Sequence, residues 1–110
     1  NGGNDYLYRH YEEMQTRMAE HARRPAPAGD LERRALAQAG RELLLAQASD
    51  WAFLMTVGTA RQFAQNQVKA HIRDFFKCEA WVKGNVDRAA LEEIESRDPV
   101  FPDLEPASWA

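Results

Sequence analysis

The side chains best suited to do chemistry are grouped in one short stretch, where Gln47, Ser49, Asp50 and Trp51 lie between two strongly apolar segments. A carboxylate such as Asp50 accepts hydrogen bonds from hydroxyl groups, and an indole ring offers a broad apolar face for stacking. One interpretation is that Gln47, Asp50 and Trp51 face a sugar-binding cleft. The other is structural: Ser49 and Asp50 cap a short turn, while Trp51 and Phe53 belong to the core.

A second candidate is Tyr6, which stands beside Asn4 and Asp5 at the start of the first predicted helix. A side chain at a helix start is often half exposed, so both a ligand contact and simple end packing are compatible with this position. Tyr11, one to two turns later, fits the core.

Catalytic acids are not expected in this chain. Hydrolysis or transfer of a glycosidic bond uses two carboxyls held roughly 5 to 10 Å apart, and only Asp50 is placed for such work. The other acidic side chains fall on polar helix faces beside Arg or Lys and are expected to be solvated, with no internal acid pair: Glu12, Glu13, Asp87, Glu92, Glu93 and Glu95.

Metal, disulfide and thiol chemistry are not indicated either. Cys78 is the single cysteine, and His10, His21 and His71 are scattered without metal-ligand spacing. We therefore expect no metal site and no cofactor, and a reduced, cytoplasmic setting.

Composition narrows the function classes further. The chain has 110 residues and a formal net charge of -3, the size of one domain. It has no Lys/Arg block of the kind that binds nucleic acid or an anionic membrane surface. No uncharged run approaches the roughly 20 residues of a membrane span. The chain begins at Asn1 without an initiator Met, so we expect an internal start, with a removed signal peptide or a preceding domain both open.

The hydrophobic spacing predicts four main helices. The first ends near Arg24, before the loop Pro25–Gly29, and the second begins at a capping Asp30 and runs to about Ala48, with Glu42 on its outer face.

After a short turn over Asp50–Met55, Thr59 and Gln62 predict a capping box for the third helix. That helix carries Phe63 on its apolar stripe and ends at Gly84. Asp87 caps the last helix, Arg88–Arg97, and an extended C-terminal tail follows. The sequence therefore predicts one all-α bundle over residues 1–110.

Three segments resemble the C-terminal helical domain of glycoside hydrolase family 57 1,4-α-glucan branching enzymes. They are Asn4–His10, the Arg-Glu-Leu-Leu-Leu-Ala-Gln-x-Ser-Asp-Trp block over 41–51, and the Arg-Asp-x-x-Phe-Pro-Asp tail over 97–103. The resemblance spans nearly the whole chain. Tyr6 stands where the family often has Trp, and Ala48 where it has Ser, so glucan affinity or branch-length preference is expected to differ.

The resemblance implies a function for the whole enzyme. In that family a (β/α)7 barrel holds the two catalytic carboxylates, and the reaction cuts an α-1,4-glucan and transfers the segment to form an α-1,6 branch. This chain would be the helical wall of the cleft without the barrel, with Tyr6, Gln47, Asp50 and Trp51 as substrate-binding residues. Its implied partners are an amylose- or glycogen-like α-glucan and the enzyme's own barrel.

Two alternatives to this function stay open. Some relatives are amylases or 4-α-glucanotransferases, which these helices alone do not separate from branching enzymes. A stand-alone helical protein-interaction module would also suit an all-α chain.

Overall fold

A computed structural model describes residues 5–100 and 106–109, with the side chains of Asp5, Tyr6, Ala107 and Ser108 left aside. Within these residues the chain forms four α-helices and a short 3-10 helix at Pro106–Trp109. The α-helices are α1 (Asp5–Arg23), α2 (Asp30–Met55), α3 (Gly58–Trp81) and α4 (Arg88–Arg97). No strand occurs in the described ranges, and the all-α prediction is confirmed.

A long antiparallel hairpin of α2 and α3 is the centre of the fold. Only Thr56 and Val57 separate the two helices. The backbone amide of Thr56 donates to the carbonyl of Phe53, and Gly58 then adopts a φ of 70°, which a residue without a side chain accepts readily. The hairpin brings residues from the second half of α2 opposite the first half of α3.

α1 packs antiparallel to α2 across this hairpin. Its hydrophobic residues recur three or four apart, and Leu7, Tyr11, Met14 and Met18 are all buried. They join one core with Leu36 and Leu43 of α2, Val68, Ile72 and Phe75 of α3, and Leu91 and Ile94 of α4. Trp109 of the 3-10 helix packs against the edge of the same core.

The predicted break in the second helix is wrong. α2 continues without interruption through Ser49 and Asp50 to Met55, so neither residue caps a new turn. The segment contains no Gly or Pro after Gly40, and Ala46 and Phe53 are buried on either side of Ser49. Tertiary packing therefore overrides the preference of Ser and Asp for helix starts.

The predicted N-cap is confirmed for α4 but is wrong for α2 and α3. Asp87 caps α4 as predicted, its carboxylate accepting a 3.0 Å hydrogen bond from the amide of Ala90. Gly29 rather than Asp30 is the N-cap of α2. At α3 the N-cap is Val57, with no side-chain cap bond, so the Thr59–Gln62 capping box does not form.

Two side chains lie on the opposite side of their helix from the one predicted. Phe63, placed on the inner stripe of α3, is 66% exposed, because Ala64 and Val68 occupy the face of α3 that is buried. Glu42, placed on the outer face of α2, is fully buried, because α3 packs against that face.

Candidate functional site

The predicted binding residues of α2 lie on adjoining positions of one helix. Gln47 is three residues before Asp50 and four before Trp51, a spacing that places their side chains next to one another. Trp51 is 66% exposed, so its indole is not part of the core. The structure therefore leaves the ring available for stacking, and the interpretation of Trp51 as a core residue is wrong.

Asp50 presents a carboxylate without an intramolecular partner in the described ranges. It is half-buried, and this burial raises the pKa of its carboxyl above the ordinary value. No hydrogen bond or salt bridge within residues 5–100 or 106–109 involves the Asp50 side chain. The carboxylate oxygens are thus oriented by the helix and open to an external donor.

Tyr6 belongs to the first turn of α1, and its side chain lies outside the described residues. Five residues later, the Tyr11 hydroxyl donates a 3.2 Å hydrogen bond to the carbonyl of Ala46. Because the two helices are antiparallel, the first turn of α1 and the Asp50–Met55 segment lie at the same end of the bundle. The fold thus brings the backbone of Tyr6 to the end that carries Asp50 and Trp51.

Exposed apolar side chains collect at this same end. Among the described residues, every large hydrophobic side chain that is exposed lies in the first turns of α1 or between 51 and 63: Tyr8, Trp51, Leu54, Met55, Val57 and Phe63. We call Leu54, Met55, Val57 and Phe63 the apolar tip. Beside them, the guanidinium of Arg61 lies 4.3 Å from the ring centroid of buried Phe53. Phe101 and Leu104, also predicted for an apolar surface, lie outside the described residues.

A buried polar cluster sits halfway along the hairpin, and the sequence did not predict it. Nδ1 of His71, on α3, lies 2.8 Å from Oε1 of Glu42 and 3.6 Å from Oδ2 of Asp98, the C-cap residue of α4. Gln38 donates to Oε2 of Glu42 at 2.9 Å and to the backbone carbonyl of Asp98 at 3.1 Å. Arg97, which is exposed, donates a 3.3 Å hydrogen bond to Oδ2 of Asp98.

This cluster corrects the expectation that the chain has no internal acid pair. Candidate ligand atoms of Glu42, His71 and Asp98 all lie within 4.8 Å of one another. Burial raises the pKa of Glu42, and the nearby Asp98 raises it further, against the opposing hydrogen bonds from His71 and Gln38. The two carboxyls face an imidazole in the interior rather than a cleft, so they are not arranged as the acid pair of a glycosidase.

A second charged cluster joins α1 to α3. Glu79, buried on α3, accepts from Arg17 and lies 2.9 Å from Nε2 of His21. Burial alone would raise the pKa of the Glu79 carboxyl, but the hydrogen bonds from His21 and Arg17 outweigh it and hold the pKa below the ordinary value. The cluster forms the floor of an open groove of about 550 Å³ that mixes acidic and basic side chains.

Cys78 has no reactive role in this arrangement. It is fully buried, and burial raises the pKa of its thiol to about 12. The thiolate that nucleophilic or redox chemistry requires is therefore absent at neutral pH. Among residues 5–100 and 106–109, none of the helices combines the length and the hydrophobicity that a membrane span requires.

Comparison with known proteins identifies the family of the chain. Residues 10–109 match the family model described as 1,4-alpha-glucan branching enzyme, C-terminal. The chain is also 36% identical over 102 residues to the 1,4-alpha-glucan branching enzyme TK1436 of Thermococcus kodakarensis. The match covers 88% of this chain but 15% of that relative. No solved structure matches the chain. The chain therefore belongs to the family of C-terminal domains of 1,4-alpha-glucan branching enzymes.

Proposed function

We propose that this chain is the helical accessory domain of an enzyme that cuts α-1,4-glucan and transfers the segment to form α-1,6 branches, in glycogen-type biosynthesis in the cytoplasm. The named relative is a branching enzyme, and the match covers 15% of its length. That enzyme is therefore more than six times as long as the aligned segment. The catalytic carboxylates belong to a family 57 barrel outside this chain, and this chain contributes binding contacts.

The observation that carries the proposal is the surface formed by Gln47, Asp50 and Trp51. It combines a two-thirds exposed indole with a carboxylate that has no partner among the described residues. An α-glucan presents hydroxyl groups at its edges and apolar CH faces on its pyranose rings. Asp50 and Gln47 would bind the hydroxyls, while Trp51 would stack on a ring face. Tyr6, at the same end of the bundle, would extend the binding surface.

The barrel of the same enzyme is the proposed partner of the apolar tip. Soluble monomers rarely expose several large hydrophobic side chains together, yet Leu54, Met55, Val57 and Phe63 are all exposed at one hairpin end. Covering them with the barrel would bring Asp50 and Trp51, one turn away, to the rim of the cleft.

The experiment that tests this function compares the full-length protein with the 110-residue chain on amylose, followed by iodine staining and by counting α-1,6 linkages. We expect branching by the full-length protein and none by the chain alone, because the chain contributes no catalytic carboxylates. Release of reducing sugar without α-1,6 linkages would instead indicate an amylase, and new α-1,4 products alone a 4-α-glucanotransferase. Branching by the 110-residue chain alone would refute its assignment as an accessory domain.

A further inference from the structure

We propose that Glu42, His71 and Asp98 form a binding site for a divalent transition-metal ion of the zinc type. The three side chains come from α2, from α3 and from the C-cap residue of α4. An ion bound by all three would tie the end of α4 to the middle of the hairpin.

The donor set suits such an ion. Imidazole nitrogen and carboxylate oxygen are ordinary zinc ligands, at about 2.0 to 2.2 Å from the metal. Three protein ligands leave a position for water in a tetrahedral site. Both carboxylates face the same imidazole nitrogen, so three ligand atoms of the kinds that zinc accepts lie within 4.8 Å of one another.

Two of the spacings between donor atoms can be compared with those of a coordination sphere. Ligand atoms about 2.1 Å from a tetrahedral ion lie about 3.4 Å apart. Nδ1 of His71 and Oδ2 of Asp98 are 3.6 Å apart, which fits without adjustment. Nδ1 of His71 and Oε1 of Glu42 are 2.8 Å apart, so a bound ion would replace the proton between them and widen this distance by about 0.6 Å.

Neighbouring groups already orient the ligands. Gln38 binds Oε2 of Glu42, the oxygen that does not face His71, and its own amide oxygen accepts a 2.9 Å bond from Arg41. Arg97 donates at 3.3 Å to Oδ2 of Asp98, the same oxygen that faces His71, and also pairs with the buried Asp74. An outer partner such as Gln38 fixes the direction of a metal ligand, and its removal typically changes metal affinity by about 10- to 100-fold.

An ion can reach the site from the α4 side. The side chain of Glu42 is fully buried, whereas those of His71 and Asp98 are 9% and 12% exposed. Asp98 is therefore the outermost ligand, and small movements at the end of α4 would admit an ion.

His21 supplies a matched control within the same chain. Its imidazole lies 2.9 Å from a buried carboxylate, that of Glu79, just as His71 lies near Glu42. Arg17 occupies the other side of Glu79, in place of a second carboxylate. A His–carboxylate pair alone is thus present at both places, but the three-ligand arrangement is present only around His71 in the described ranges.

The test is a calorimetric titration of the metal-stripped 110-residue chain with zinc chloride. We expect saturable one-to-one binding that weakens by more than about tenfold in His71→Asn and in Asp98→Asn and is unchanged in His21→Gln. Circular dichroism establishes that each variant remains helical. Absence of saturable binding by the folded wild-type chain, or binding that His71→Asn and Asp98→Asn leave unchanged, would overturn the proposal.

A second measurement needs no variant and decides the matter even where a substitution prevents folding. In the wild-type chain, imidazole proton and nitrogen resonances of the three histidines are followed by NMR as Zn²⁺ is added. We expect the His71 signals to shift to those of a metal-bound ring, while the His10 and His21 signals stay in place. Zinc-dependent shifts at His10 or His21 without a change at His71 would contradict the proposed site.

Discussion

The hydroxyl of Tyr11 donates a 3.2 Å hydrogen bond to the backbone carbonyl of Ala46, the same carbonyl that the amide of Asp50 bonds in a continuous α-helix. This buried contact attaches α1 to α2 one turn before Asp50. Gln47, Asp50 and Trp51 are close in the sequence, but their arrangement also depends on tertiary structure. An uninterrupted helix, which α1 and α3 hold in place, sets the direction of the Asp50 side chain.

Stability should depend on pH through Glu79. Its pKa is held below the ordinary value, so the carboxylate stabilises the fold above the unfolded pKa of about 4.3, and this contribution disappears as the pH falls through the folded pKa. We expect Glu79→Gln to lower the free energy of unfolding by about 1 to 3 kcal/mol at pH 7. Urea unfolding should show this difference shrinking as the solution is acidified below about pH 4.

Glu93→Gln is the matched control for Glu79→Gln, since Glu93 is an exposed carboxylate on α4 without a salt bridge in the described ranges. It should change the unfolding free energy by less than about 0.5 kcal/mol. A Glu79→Gln difference that stays constant from pH 7 to pH 3 would contradict the assigned role of the His21 and Arg17 hydrogen bonds.

Trp51 and Phe53 should respond in opposite ways to truncation. Trp51 is 66% exposed and Phe53 is 8% exposed. Trp51→Ala should therefore change the stability of the 110-residue chain by less than about 0.5 kcal/mol, whereas Phe53→Ala should cost about 3 to 5 kcal/mol.

In the full-length enzyme, Trp51→Ala should also weaken glucan binding by about two- to tenfold, the range expected for loss of one aromatic contact. Affinity electrophoresis in glycogen-containing gels measures this change. Trp51→Phe retains a smaller ring and should give an intermediate affinity. Wild-type affinity in Trp51→Ala would show that the indole does not stack on the glucan.

The isolated chain should self-associate through the apolar tip. Without the barrel, Leu54, Met55, Val57 and Phe63 remain exposed to water. Sedimentation velocity should detect concentration-dependent dimers or larger species, and Phe63→Lys combined with Val57→Lys should reduce them. A monomer at high concentration that also binds no hydrophobic dye would argue against the tip as an interface.

Local signals in the sequence were sufficient for much of the fold. Pro25 and Pro27 end the first helix regardless of tertiary packing, and Asp87 accepts a hydrogen bond from the amide of Ala90, three residues away. The break predicted at Ser49 failed because the burial of Ala46 and Phe53 against neighbouring helices outweighs a weak local preference.

The two candidate sites also differ in how far the sequence alone predicts them. Asp50 and Trp51 were recognisable because they are adjacent and belong to a distinctive block. Glu42 and His71 are 29 residues apart, and only the packing of two helices brings them together with Asp98. Gln38 lies one turn before Glu42 on the face of α2 that α3 covers. A polar side chain there indicates a buried polar cluster only once the packing of α3 is known.

Binding of the glucan by Asp50 can be tested with a single substitution, Asp50→Asn, in the full-length enzyme. The substitution preserves shape but removes the charge from an acceptor whose hydrogen bond contributes roughly 1.5 to 3 kcal/mol. Branching of amylose and thermal unfolding should be measured together, with Glu93→Gln as the control. We expect a fall in turnover of about one to two orders of magnitude with an unchanged melting temperature, since Asp50 has no partner among the described residues. Normal turnover together with a normal melting temperature would contradict this expectation and remove Asp50 from the binding site.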